Sequence, residues 1–167
     1  MKKLFSLCLI CLLAVSAMAQ DQNVNVVVIG GGSSSSSGDY VDLGLPSGTL
    51  WKSKNEKGMY YTYDEAVSQF GDKLPTREQF AELQAFCTWT WNGKGYVVKG
   101  DNGNSIVLQA AGYRDRYGDV YGIGTYGDYW SSTPIDSDYA WYLGFDSSGV
   151  DIVNYHRCDG HSVRLVQ

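Results

Sequence analysis

After Thr88 most of the chain consists of short runs in which apolar and polar residues alternate, and turn residues separate these runs. This pattern restricts the possible folds more than any other feature of the sequence. Clusters rich in Gly, Asn and Asp stand at 92–95, 101–104 and 146–149. Between them apolar and polar side chains alternate with a period of two, which is typical of strands that bury one face. Because such clusters form the tight turns of hairpins, antiparallel strands are expected. The predicted strands of this half span 96–99, 105–108, 130–132, 139–145, 150–155 and 162–166.

The part of the chain before Thr88 predicts two strands followed by two helices. Alternation at 40–45 and 49–52 indicates the strands, and apolar spacing at 62–70 indicates a short helix. The second helix is expected to begin after Thr76, which forms a capping box with Gln79. The order of elements predicts the α+β class, in which two helices flank a twisted, mainly antiparallel sheet with long loops.

Residues 1–19 have the composition of a secretory signal. Lys2 and Lys3 precede an apolar run, and Ala17-Met18-Ala19 is a small-x-small cleavage site. The run is too short for a membrane span, so we predict cleavage after Ala19 and a secreted or cell-surface protein without a transmembrane segment. Residues 20–38 are Gly- and Ser-rich and predict a flexible tail, which leaves 39–167 as one domain.

Charge and cysteine content exclude some classes of protein. The chain has 13 Lys and Arg against 18 Asp and Glu, a net charge of −5, and the signal removes two lysines more. An acidic surface of this kind argues against nucleic acid and anionic membranes as partners. Cys87 and Cys158 remain after cleavage. An oxidising compartment permits a disulfide between them, but a buried free thiol at Cys87 is the favoured interpretation.

Several linked blocks of sequence carry a family resemblance. They include Tyr40-Val-Asp-Leu-Gly-Leu-Pro-Ser-Gly-Thr-Leu-Trp51, Leu74-Pro-Thr-Arg-Glu-Gln-Phe80 and Tyr129-Trp-Ser-Ser-Thr-Pro134. Further blocks stand at 87–91, 102–106, 110–114 and 162–164. In this order they resemble the FISUMP domain (the Fibrobacter succinogenes major paralogous domain) over 39–167. The segment between Lys52 and Tyr60 is shorter than in many of these domains.

The resemblance implies a C-type-lectin-like fold related to formylglycine-generating enzymes, in secreted or surface proteins of Bacteroidetes-like bacteria. It also implies a ligand surface in the C-terminal half, of a kind that serves elsewhere as a scaffold for variable proteins diversified by retroelements. Formylglycine-generating enzymes use a pair of nearby cysteines. Cys87 and Cys158 are far apart in sequence, so that activity is not expected, and we predict that the protein is not an enzyme.

Aromatic and polar residues in the C-terminal half predict a recognition surface. Tyr and Trp give rigid, amphipathic contact area at low entropic cost, and sugar rings stack on them. We therefore expect a non-catalytic module that binds a glycan or a protein ligand. The candidate ligand-binding residues are Tyr117, Tyr121, Tyr126, Asp138, Tyr139, Trp141, Asp151, Asn154, Tyr155, His156, Arg157, Asp159 and His161.

Other interpretations of the same residues remain open. His156, Cys158 and His161 are ligand types that zinc accepts, and the acidic turns could supply oxygen ligands to calcium. Variable loop residues are the favoured alternative to a zinc site and acidic turn residues the favoured alternative to a calcium site, so no cofactor or metal is predicted. A structural, fimbria-like surface component is the alternative function, with the strand at 24–29 pairing with a partner sheet.

Overall fold

A computed structural model describes residues 39–167. The predicted signal at 1–19, the tail at 20–38 and the assembly strand at 24–29 lie outside the described residues. Within residues 39–167, no helix is long and apolar enough to cross a membrane.

Ten strands form four small antiparallel sheets within the described residues. The sheets are β1-β2, β3-β4-β5, β6-β7 and β8-β9-β10, and every pairing within them is antiparallel. The strands are β1 (Tyr40–Asp42), β2 (Leu50–Lys52), β3 (Cys87–Trp91), β4 (Gly95–Gly100), β5 (Ser105–Gln109), β6 (Tyr113–Arg114), β7 (Val120–Tyr121), β8 (Gly127–Pro134), β9 (Tyr139–Asp146) and β10 (Gly149–His156).

Two short α-helices, α1 (Tyr63–Phe70) and α2 (Arg77–Phe86), are separated by a 3-10 turn at Gly71–Lys73. The predicted capping box of α2 is confirmed, because the Thr76 side chain accepts from the Gln79 backbone and the Gln79 side chain accepts from the Thr76 backbone. The same arrangement caps α1. Each box satisfies backbone N–H groups that a helix start leaves unpaired.

The predicted C-type-lectin-like α+β fold, with two helices flanking one twisted sheet, is wrong. Strands hold 43% of the described residues and helices 16%, and the strands divide among several small sheets. Period-two alternation identifies strands but does not specify which strands pair. Here β6 and β7 are two residues long and pair only with each other as named strands among the described residues, apart from the two three-stranded sheets.

The core lies in two clusters. The larger one packs α2 residues Phe80 and Leu83 against Trp51 and against apolar side chains of both three-stranded sheets, such as Leu108 and Leu143. The smaller one packs α1 against Trp130 and the C-terminal segment. Burial of this many large apolar side chains is the main stabilising contribution to the fold.

The C-terminal segment is buried but is not the strand predicted at 162–166. Isolated bridges pair Ser162 with Tyr129 and Val166 with Trp51. Between them the guanidinium of Arg164, which is 1% exposed, donates to Asn55 Oδ1 (2.6 and 3.0 Å), the Lys52 carbonyl (2.8 Å) and the Val107 carbonyl (2.6 Å). Arg164 therefore joins β2, the 53–59 loop and β5 to the end of the chain.

Candidate ligand-binding site

The sheet β8-β9-β10 places two aspartates on the same face. Its register sets Asp128 opposite Gly144 and Gly144 opposite Asp151. In the next row on that face, Trp130 is opposite Tyr142 and Tyr142 is opposite Val153. Three adjacent strands thus bring carboxylates and aromatic rings together.

Gly144 leaves room between the two aspartates for the ring of Tyr142. A Cβ at position 144 would lie 2.9 Å from Tyr142 Cε2 and 3.4 Å from its hydroxyl oxygen. The Tyr142 ring therefore lies along the sheet face over Gly144. Any larger residue at 144 would displace this ring.

A cavity of about 200 Å³ lies beside Tyr142, and we call it the tyrosine pocket. Four tyrosines come from separate parts of the chain: β6, the turn before β8, β9 and β10. The residues that define the pocket are Tyr113, Tyr126, Asp128, Tyr142, Tyr155 and His161.

A second cavity of about 270 Å³ adjoins the tyrosine pocket and shares Tyr126, Asp128 and Tyr142 with it. We call it the acidic groove, because Asp146 and Asp151 line it in addition to Asp128. Asp146 Oδ1 already accepts from the backbone and the hydroxyl of Ser148 (2.7 and 2.6 Å). We refer to these two adjoining cavities together as the concave surface.

His161 forms the inner wall of the pocket. It is 1% exposed, and its ring stacks on Trp130 with centroids 4.0 Å apart and meets the edge of Tyr142 at 4.7 Å. Trp130 is fixed in turn, since its Nε1 donates to the Tyr61 carbonyl at 2.8 Å. Burial lowers the pKa of His161 to about 3, and so the imidazole is neutral at physiological pH.

Asp128 has an environment unusual for a carboxylate. It is 8% exposed, and among residues 39–167 no donor bonds to its side chain. Burial raises the pKa of Asp128 to about 7, because the charged form loses its hydration. Burial also raises the pKa of Tyr142, with a further contribution from the Asp128 charge. Perturbed ionisable groups in a cleft are typical of functional sites.

Tyr126 is held at the pocket mouth by a close approach to Gly122. A Cβ at Gly122 would lie 2.2 Å from Tyr126 Cδ2, and Gly122 has φ +70°. Glycine adopts this left-handed conformation without steric cost. The turn before β8 therefore requires a glycine here, and Tyr126 packs directly on it.

The structure brings together some of the predicted site residues. Tyr126, Tyr155 and His161 line the tyrosine pocket, and Asp151 lines the acidic groove. Four others, Asp138, Tyr139, His156 and Arg157, line a separate cavity of about 540 Å³. Outside these cavities lie Tyr117, Tyr121, Trp141, Asn154 and Asp159.

The residues outside the cavities have other environments. Tyr117 is 85% exposed and Asp159 is 3% exposed. The Tyr121 ring packs on Tyr113 with centroids 5.7 Å apart, and the Arg77 guanidinium lies 4.2 Å from the centre of the Trp141 ring. Asn154 is an exposed residue of β10 opposite Trp141.

Sequence reasoning missed Tyr113, Asp128 and Tyr142. Asp128 and Tyr142 lie close to or within runs that predicted strands, but the register that sets them side by side is not visible in the sequence. Asp128 precedes Trp130 by two residues, and so the period of two could have placed it on the Trp130 face. Tyr113 gave no local signal, because β6 is only two residues long.

In the separate 540 Å³ cavity, Arg157 connects the walls through an ion pair, a hydrogen bond and a contact with an aromatic ring. Arg157 forms an ion pair with Asp64, donates to the Asp136 carbonyl at 2.8 Å and lies 4.6 Å from the Tyr63 ring centre. Its two terminal guanidinium nitrogens are thereby committed to structural partners, while Nε is buried without a hydrogen-bond partner among the described residues. The tyrosine pocket differs in its carboxylate, because no side-chain or backbone donor among the described residues bonds to the Asp128 side chain, which lines it.

Among residues 39–167, the tyrosine pocket contains neither a cysteine nor a cluster of metal ligands. Cys87 and Cys158 are both free thiols, and burial raises the pKa of Cys87 to about 11. A thiol with this pKa is poorly nucleophilic at neutral pH. Within residues 39–167, no three His, Cys, Asp or Glu side chains are close enough to hold a metal ion.

Among known protein families, one family model matches part of the chain, and the role of that family is undefined. The model described as a domain of unknown function (DUF8237) matches residues 89–166, which include all six residues of the tyrosine pocket. No curated protein and no solved structure matches the chain. The resemblance to FISUMP domains stays a prediction.

Proposed function

We propose that this protein is a secreted, non-catalytic binding module that recognises a glycan through the tyrosine pocket. The observation that carries the proposal is the convergence of four tyrosine rings around a 200 Å³ cavity with the Asp128 carboxylate, which is 8% exposed and has no donor among residues 39–167. Binding sites combine apolar walls with a few placed polar groups in this way. A protein ligand is the alternative that the experiments below distinguish.

The shape of the site suits a sugar ring. Tyrosine faces stack on the apolar faces of pyranose rings, while a carboxylate and phenolic hydroxyls bond to their hydroxyl groups. The acidic groove continues from the pocket and shares three residues with it. A second sugar unit of an oligosaccharide has room there.

Removal of the Tyr155 ring tests the pocket. Tyr155 lines it and is 37% exposed, so Tyr155→Ala costs little core packing. We expect glycan affinity to fall at least about tenfold, since loss of one stacking face is worth roughly 1.4 kcal/mol. The measurement is a glycan array on the purified chain, followed by calorimetry of the strongest binder.

Tyr117→Ala is the matched control, because Tyr117 is a tyrosine outside the described cavities and is 85% exposed. It should bind like the wild type. Equal losses in the two variants would contradict the assignment of the pocket. Release of reducing ends by the wild type but not by Asp128→Asn would contradict a non-catalytic role.

The Gly122–Tyr126 contact provides a second test. In Gly122→Ala the new methyl group would push Tyr126 from the pocket mouth, and we expect weaker binding together with a loss of roughly 1–3 kcal/mol in the free energy of unfolding. Gly124→Ala has the same left-handed strain (φ +79°) but meets no atom within 4 Å. It should lose stability from the backbone strain alone and keep its affinity, as calorimetry and chemical unfolding would establish.

A further inference from the structure

The walls of the concave surface carry negative charge without a fixed positive one. Among residues 39–167, those that line the tyrosine pocket and the acidic groove include Asp128, Asp146 and Asp151 and contain no Lys or Arg. The one histidine there, His161, is buried and neutral. A ligand with an anionic group would therefore meet repulsion throughout, whereas a cation would be attracted.

Aromatic faces around the carboxylate strengthen the preference for a cation. Tyr142 and Tyr155 have ring centroids 6.1 Å apart, and Tyr113 lies 6.2 Å from Tyr155. Tyrosine faces attract an ammonium group through the ring quadrupole, most strongly where water is excluded. This attraction adds to that of Asp128 in the same cavity.

Two polar side chains of the pocket lack hydrogen-bond partners among residues 39–167, a fully buried His161 nitrogen and the Asp128 carboxylate at the pocket wall. His161 Nδ1 has no hydrogen-bond partner, and no donor from these residues reaches the Asp128 carboxylate, although Asp128 is only 8% exposed. Buried polar groups are ordinarily satisfied. An ammonium group has three N–H donors and no acceptor, and so it supplies what the Asp128 carboxylate needs.

We propose that the ligand is an amino sugar whose free ammonium group binds Asp128 between the tyrosine rings, with the rest of the sugar chain in the acidic groove. The inference rests on the proposed glycan-binding function and specifies the class of sugar. It needs no covalent step.

The inference predicts a pH dependence. The titratable groups that line the two cavities with Asp128 are Tyr113, Tyr142 and Tyr155 from three strands, Tyr126 from the turn, His161 from the C-terminal segment, and the carboxylates of Asp146 and Asp151. Because burial raises the pKa of Asp128 to about 7, protonation competes with the cation. Affinity for a ligand whose ammonium group stays charged over this range should be roughly tenfold lower at pH 5.5 than at pH 7.

The experiment compares three ligands with one ring geometry. Calorimetry of the purified chain at pH 7 uses β-1,4-linked tetramers of glucosamine, N-acetylglucosamine and glucose. We expect the glucosamine tetramer to bind at least tenfold more tightly than the other two. The Asp128→Asn variant should lose this preference, and circular dichroism checks that the variant is folded.

Each other outcome has a definite meaning. Equal binding of the three tetramers, or tighter binding of a neutral one, overturns the amino-sugar inference and leaves the glycan-binding function standing. A preference that survives in Asp128→Asn also overturns it. Failure of all three tetramers together with a blank glycan array overturns both proposals, and so does binding of a lysine-containing peptide alone.

Discussion

Replacement of Arg164 by methionine is expected to lower the free energy of unfolding by about 3 kcal/mol or more. The guanidinium donates to Asn55 Oδ1 and to the carbonyls of Lys52 and Val107. Methionine fills a similar volume but leaves these acceptors without donors, and each unsatisfied buried acceptor costs about 1–3 kcal/mol. Urea unfolding at pH 7 measures the difference.

Two further variants make this prediction specific. Arg164→Lys keeps the charge but cannot reach several acceptors at once, because an ammonium is a point donor where a guanidinium is a fork. It should be nearly as destabilised as the methionine variant. Arg116→Met is the surface control and should change stability by no more than about 0.5 kcal/mol. A loss below about 1 kcal/mol in Arg164→Met would show that the network contributes little.

Asp128→Asn is expected to make the protein more stable at pH 8, by up to about 4 kcal/mol. Burial raises the pKa of Asp128 from 3.8 to about 7, and each unit corresponds to about 1.4 kcal/mol. The stability linked to this protonated carboxyl is fully present below pH 3.8 and is lost as pH rises to about 7. Asparagine keeps the shape and carries no charge at any pH.

The measurement is the difference between variant and wild type in unfolding free energy from pH 4 to pH 8. The difference should grow as pH rises and become constant above about pH 7. The variant and the wild type must be compared at each pH, because the titration of His161 changes the stability of both proteins in the opposite direction. Its lowered pKa stabilises the fold above pH 6.5, and this contribution is lost as pH falls toward about 3. A difference that does not vary with pH would refute the buried, unpartnered state of Asp128.

The charge of Asp128 also bears on function. A carboxylate that destabilises the folded protein at neutral pH is the kind of group that binding sites retain at the expense of stability. The same substitution is expected to remove the preference for glucosamine. Higher stability and lower affinity in one variant would connect the two properties at Asp128.

The sequence predicted single elements well and their assembly poorly. The Thr76–Gln79 capping box was predictable, because the atoms that cap a helix lie within one turn of each other. Strands β9 and β10 were predictable from alternation at 139–145 and 150–155. The division into four sheets was not, since pairing depends on contacts between residues far apart in the chain.

The residues of the candidate site were likewise predictable from local sequence and not predictable where they depend on tertiary packing. Exposed tyrosines such as Tyr126 and Tyr155 were predicted from composition, and both line the pocket. The buried Asp128 was missed, and the stacking of His161 on Trp130 was not foreseen, because both depend on tertiary packing. His156 and His161 were considered together as candidate zinc ligands, whereas they line different cavities.

The pocket residues come from positions 113 to 161, and this spread links ligand binding to the melting of the whole domain. An unfolded chain cannot hold four rings around one cavity, so a ligand binds the native state alone. Mass action then adds about 2.7 kcal/mol to the unfolding free energy at a hundredfold excess over Kd. A thermal-shift screen of unlabelled sugars can therefore detect a ligand through the melting temperature of the protein, whatever the structure of that ligand.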